Sequence, residues 1–253
     1  MKIILIGICI SLIASCSVPK TEALIQLRSL KAEEYFSSGL QLQLVEAAAK
    51  GDIARIDEAV LRGAKVNAIG KEQMTPLMWS LVKRSEVGYS RLLEQGADPN
   101  FLTRSSSKYD QGRSVMMIAA ICESPEFLRL ALNHRGNPNA PSWVPSQTII
   151  FEAVDNKRLD NIKMIHGYGG DLNKRDRRGV TPIIEATYAS NYDVVYELLL
   201  LGANPSIKNN SGGDVPAILQ KYQDRAAFAF GDSRQKVWYS KVVAELQRRG
   251  LLK

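Results

Sequence analysis

The chain has 253 residues, 45% apolar and 23% charged, a balance that supports one or two folded domains and excludes a disordered polymer. Its formal charge of +7 is carried by scattered lysines and arginines rather than by a tract, which biases it toward acidic partners or anionic headgroups at long range.

The chain opens with Lys2, the apolar run Ile3 to Ile13, and Ala14-Ser15-Cys16. A basic start, a short apolar core and small residues before a cut site describe a secretory signal. The run is too short to cross a hydrocarbon core about 30 Å thick, which takes about 20 apolar residues. The four residues Ile13-Ala14-Ser15-Cys16 resemble the bacterial lipobox. That resemblance implies a signal over 1–15, an acylated Cys16 as the first mature residue, and a short lipidated tether over 16–20. With Ser17 rather than Asp after the cysteine, it also implies lipid anchoring at the periplasmic face of the outer membrane. Nucleic acid is not an expected ligand there. Cys9 leaves with the signal and Cys16 carries the lipid, so Cys122 is the lone mature thiol and no internal disulfide forms. Cys122 follows the apolar run Met116 to Ile121 and is expected to pack inside.

Thr21 to Phe36 reads as helical, with Leu24, Leu27 and Leu30 apolar and Lys31, Glu33 and Glu34 polar; 21–40 is therefore either an N-terminal capping helix or a stiff tether. From residue 41 the chain is periodic. Gly63-Ala64-Lys65-Val66-Asn67 recurs 33 residues later as Gly96-Ala97-Asp98-Pro99-Asn100. Further versions are Gly136-Asn137-Pro138-Asn139, Gly170-Asp171-Leu172-Asn173 and Gly202-Ala203-Asn204-Pro205-Ser206. A second string precedes them: Met74-Thr75-Pro76-Leu77, Thr148-Ile149-Ile150-Phe151-Glu152-Ala153 and Gly179-Val180-Thr181-Pro182-Ile183-Ile184-Glu185-Ala186. Thr181 suits a helix N-cap and Pro182 the first helical position, where a missing N–H costs nothing. Gly96 and Gly202 suit left-handed helix ends. Val194, Val195, Leu198, Leu199 and Leu200 form one apolar face at helical spacing. One such helix pair cannot bury both of its sides, so neighbours must stack.

The two strings together resemble the ankyrin repeat, whose turn, Thr-Pro-Leu-His-x-Ala helix start and Gly-Ala-Asp-x-Asn close recur in this phase. The resemblance implies an all-α solenoid of five to six helix-turn-helix repeats with hairpin fingers. Repeats are placed at 41–67, 68–100, 101–139, 140–173 and 174–206, with a degenerate sixth from 207, so that the array spans 41–222. The third repeat is enlarged at Phe101 to Asp110, where the family presents a finger. Residues 223–253 hold an insertion, Gln223 to Gln235, and a closing amphipathic helix with Val237, Trp238, Val242, Val243 and Leu246.

A search for chemistry finds no nucleophile elbow, phosphate-binding loop, His-Glu-x2-His or Cys-x2-Cys. His134 and His166 end second helices without a nucleophile nearby. Ser105 to Lys108 matches Ser-x2-Lys, but its partner strings are absent. Glu46, Glu152 and Glu185 share one repeat phase, which in ankyrins commonly holds polar residues. No enzyme activity, metal, cofactor or small-molecule substrate is therefore expected.

The resemblance places partner binding on hairpin tips and the open side of first helices. There it implicates Arg177, Arg178, Tyr188, Trp143, Asp155, Lys83 and Lys71, with Tyr109 and Arg104 on the enlarged finger, as a mixed surface with a basic end. Trp79 is expected in the core. Ankyrin lipoproteins of the envelope are similar to immunity proteins that neutralise type VI secretion lipase effectors, which implies a toxin such as a phospholipase as the protein partner. An envelope scaffold or stress-response lipoprotein binding an endogenous protein is the alternative. A Cys16→Ser variant is expected to leave the membrane fraction; retention after carbonate washing would overturn the anchor.

Overall fold

The structure is a computed structural model that describes residues 29–37, 39–103, 112–221 and 233–252. Its described elements are helical: α1 (Gly39–Lys50), α2 (Ile53–Leu61), α3 (Pro76–Val82), α4 (Glu86–Glu94), α5 (Val115–Ile121), α6 (Glu126–Asn133), α7 (Ile149–Asp155), α8 (Leu159–Gly167), α9 (Pro182–Tyr188) and α10 (Tyr192–Leu200). Residues 215–221 form α11, and α12 is Ser233–Arg248. Chain contacts divide these into two compact units, the first ending at Asn137 and the second beginning at Pro138.

In unit 1, α1 to α6 pair as first and second helices of successive repeats. Asp52, Thr75, Ser85 and Ser114 each cap a helix by accepting the N–H three residues on. Such a cap contributes about 1 kcal/mol. Helix α3 starts at Pro76 and is buried along its whole length. Trp79 is core, 1% exposed, under Tyr35 and the edge of Phe36 at 5.7 and 6.2 Å between ring centroids. Gly88 of α4 lies so close to α1 that a Cβ would sit 1.9 Å from the Ala48 carbonyl oxygen.

Before α1, Ser29 is helical and Ala32–Glu34 form a 3-10 turn, so helix does not run unbroken to Phe36: Tyr35 and Phe36 fold inward and the Tyr35 carbonyl takes the Lys71 N–H at 2.9 Å. Residues 21–28 lie outside the described residues. Cys122 is also corrected: it stands just past the end of α5, half-exposed rather than buried, since the helix stops at Ile121 and the chain turns outward.

In unit 2, Val194, Val195, Leu198 and Leu199 of α10 are buried, whereas Leu200, expected beside them, is exposed at the helix end. Thr181 occupies the N-cap position of α9 but makes no side-chain cap bond, and its buried hydroxyl has no hydrogen-bond partner among the described residues. Helix α12 begins at Ser233, so Gln235 belongs to it and not to an insertion. It packs on α10 through Val242 and Leu246, while Val237 turns outward at 56% exposure.

Within each unit, asparagine side chains tie successive helix-end turns together. In unit 1, Asn67 donates to the Gly96 carbonyl at 3.0 Å and accepts the Asp98 N–H at 2.8 Å; Asn100 does the same with Arg135 and Asn137 at 2.9 and 2.7 Å. In unit 2, Asn139 donates to Gly169 at 3.1 Å and accepts from Asp171 at 2.8 Å, and Asn173 accepts from Asn204. Helix ends adopt positive φ at Gly63, Gly96, Gly169 and Gly202, and at Arg135 where glycine is absent. The left-handed position is thus Arg135 and Gly169, one residue before the Gly136 and Gly170 at which the repeat strings begin. Replacing Asn139 by Ala removes both bonds of one bridge and is expected to cost unit 2 about 1–3 kcal/mol in urea unfolding.

Candidate functional site: a recognition face on unit 2

Five of the implicated side chains fall in unit 2, carried by two hairpins and two first helices. The hairpin over 140–148 is pinned by an antiparallel bridge between Pro141 and Thr148 and by Ser142 N–H donating to Gln147 at 3.1 Å. It presents Trp143 half-buried and Val144 exposed. The hairpin after residue 173 is organised by Asp176, whose buried carboxylate accepts the N–H groups of Arg178 and Val180, each at 2.8 Å. Arg177 is left exposed at the tip, with its carbonyl taking the Asn210 side-chain amide.

Tyr188 sits at the end of α9 and is 45% exposed. Its hydroxyl accepts from Asn209 at 2.7 Å, and Asn209 is itself buried, its other side-chain atom taking the N–H groups of Ser211 and Gly213. A ring held at its polar end loses little further freedom on contact. Asn209 was not foreseen. It stands 33 residues after Asp176 and does the same work for the next hairpin, so the repeat period held the signal.

The charge of this face is mixed, with Arg177 exposed at the tip. Arg178 folds back, pairing with Asp176 at 3.1 Å and Glu185 at 3.2 Å, so its cation is neutralised locally. What lines α7 and α9 is acidic. Glu152, 3% exposed, accepts the Ser142 hydroxyl, and burial pushes its carboxyl up to about 7 against that bond, with Asp155 adding like charge. Asp155 is accessible from one side, yet the protein mass around its carboxyl, then Glu185, raise it to about 6, with Arg178 opposing.

In unit 1, Lys71 is exposed beside Glu72 and Gln73, both at positive φ. Lys83 is half-buried: its ammonium donates to the Leu30 carbonyl and lies 4.6 Å above the Trp79 ring, and burial lowers its pKa. It therefore anchors the segment before α1 instead of pointing to a partner. Cys16, Arg104, Tyr109 and Ser105 lie outside the described residues. His134 is half-buried, with Nδ1 2.9 Å from the Leu130 carbonyl, and His166 is half-buried in α8. Glu46 is half-buried on α1. Among the described residues no His, Cys, Asp and Glu group is arranged to hold a metal.

Residues 178–210 match the family described as the ankyrin repeat. A solved ankyrin repeat domain of Acinetobacter baumannii superposes with a TM-score of 0.66 over 83% of this chain and 98% of its own, at 20% identity. A second solved ankyrin repeat protein gives 0.62 over 81% and 96%, at 23% identity. The chain carries the ankyrin-repeat fold. Its sequence is 28% identical to Protein PhlB of Serratia liquefaciens over 148 residues, 58% of this chain and 62% of that protein. It is 39% identical over 64 residues to an ankyrin repeat protein of Acanthamoeba polyphaga mimivirus, 25% of this chain and 9% of that one. The chain spans under two thirds of the length of these relatives. Ankyrin repeats imply a protein-binding module.

The raised Glu152 value has a thermodynamic consequence. Folding takes up a proton between the ordinary value of 4.5 and about 7. This contribution is fully present below about pH 4.5 and is lost as pH rises through 7. Glu152→Gln keeps a Ser142 acceptor without the charge. It is expected to match the parent near pH 4 and to exceed it at pH 8 by on the order of 2–3 kcal/mol in chemical unfolding; parallel pH profiles would refute the buried charge.

Proposed function

We propose that the chain is an envelope-anchored protein-binding module that captures and neutralises a secreted antibacterial toxin of the type VI lipase class. The observation that carries this reading is the fixed, exposed Tyr188 on the same unit as half-buried Trp143, exposed Val144 and exposed Arg177. Aromatic and arginine side chains supply most of the binding energy at protein interfaces, and rigid ones give it at low entropic cost. A neutralising protein requires high affinity for a folded partner, which such a face suits better than capture of a small molecule in a closed cavity. Acylation at Cys16 would hold the face at the periplasmic side of the outer membrane, where an incoming lipase meets its substrate.

Recipient cells carrying the chain are expected to survive attack by a strain that delivers a lipase effector, and cells without it to die. Trp143→Ala and Tyr188→Ala should each weaken capture of the purified effector by about thirtyfold, equivalent to about 2 kcal/mol, with thermal unfolding lowered only by Tyr188→Ala, which leaves the buried Asn209 amide without its acceptor. Protection that persists in the double variant would move binding away from this face. Absence of both protection and capture would point to an endogenous envelope partner instead.

A further inference from the structure

Helix α12 has two opposed stripes. Gln235, Tyr239, Val242, Leu246 and Arg249 follow at four, seven, eleven and fourteen residues and face α10. Val242 and Leu246 are buried, the Tyr239 ring meets the Tyr192 ring edge-on at 5.1 Å, Gln235 accepts the Tyr192 N–H, and Arg249 donates to the Leu199 carbonyl at 2.7 Å. On the far side Arg234, Val237, Lys241, Ala244 and Arg248 are all exposed. Three cations thus recur at seven-residue intervals, about 10.5 Å apart along a helix rising 1.5 Å per residue.

The charge here is one-sided. Residues 233–252 hold Arg234, Lys236, Lys241, Arg248 and Arg249 against the single carboxylate of Glu245. Both Arg248 and Arg249 bind that carboxylate at 2.7 Å and hold it down to about 2, yet the Arg248 side chain remains 71% exposed. Beside the stripe the Lys241 ammonium lies 4.1 Å above the Trp238 ring, which packs on Tyr196 at 5.7 Å. An aromatic flanked by cations is the composition of an interface hot spot.

We infer that this outward stripe is a second docking surface, and that its occupant is an acidic helical segment of a protein partner. A basic amphipathic helix that binds a bilayer must have its apolar face free to enter it. The apolar stripe of α12 is turned inward, and the outward one offers Val237 as its only large aliphatic. What remains is charge complementarity. The seven-residue spacing is two helical turns, so a partner helix with carboxylates at the same interval can meet all three cations. The inference does not depend on the toxin-binding reading, because it uses none of the residues of that face.

The test uses the detergent-solubilised full chain and two labelled helical peptides of identical composition, one with three glutamates at seven-residue spacing and one with them clustered. By fluorescence anisotropy the spaced peptide is expected to bind at least about tenfold more tightly than the clustered one, with affinity falling as salt rises. Arg234→Glu with Lys241→Glu should abolish that preference without changing thermal unfolding, and Lys241→Gln should weaken it. The charge-matched change of Lys50→Glu with Arg55→Glu should leave it intact. Equal affinity for the two peptides, or loss in the control variant, would reduce the surface to net charge and overturn the inference. So would binding to phosphatidylglycerol nanodiscs that depends on Lys241 while neither peptide binds.

Discussion

Within each unit, a single carboxamide per repeat sets the register on which the rest of that unit depends. Apolar packing drives helix pairs together but is non-directional, so alone it would tolerate sliding of one pair over the next. Asn67, Asn100 and Asn139 remove that freedom, each donating to one backbone carbonyl and accepting from an amide two residues further along the following repeat. Two bonds of opposite sense made by one planar group fix orientation as well as distance. The bonded carbonyl belongs to the left-handed residue at the helix end, so the turn and the bridge are formed together.

Once register is fixed, residues of one phase become comparable surfaces, and their differences acquire meaning. Trp79, Glu152 and Glu185 occupy the same phase of three first helices. Within unit 1, Trp79 is roofed by Tyr35 and Phe36, and Lys83 at the end of its helix holds the Leu30 carbonyl. Within unit 2, Glu152 is sunk under a hairpin with Ser142, and Glu185 draws Arg178 down from its tip. The chain's own N-terminal segment thus covers one first-helix surface. On the other, Glu152 and Glu185 act electrostatically with exposed Asp155.

Helix α12 shows the same economy at the end of unit 2. Its apolar stripe closes the last helix pair, as a terminal element must, and its other stripe is then free to be polar. That the polar stripe is cationic, periodic and next to an aromatic is more than solubility asks for. Glu245 pairs with Arg248 and Arg249, and the Lys241 ammonium lies over the Trp238 ring.

The repeat array was legible from the residues because its requirements are local. Glycine at a left-handed helix end, proline at a first helical position, asparagine at the bridge and helical apolar spacing are each demanded within a few residues, and each recurs. The all-α repeat architecture and the core position of Trp79 followed from these signals. What depends on neighbours far along the chain was not legible. Arg178 resembled a free cation until Asp176 and Glu185 were placed around it, and Lys83 resembled a groove residue until the segment at Leu30 was folded over it. Asn209 was not singled out, although it holds the exposed Tyr188 in place. Val237 and Leu200 fitted an apolar face by spacing, yet helix packing covers only the part of a face that a neighbour reaches. Sequence by itself therefore determined the repeating backbone, whose constraints are short-range. Only the tertiary structure decided which charges and rings remain available to a partner, because pairing and burial are set by groups distant in the chain.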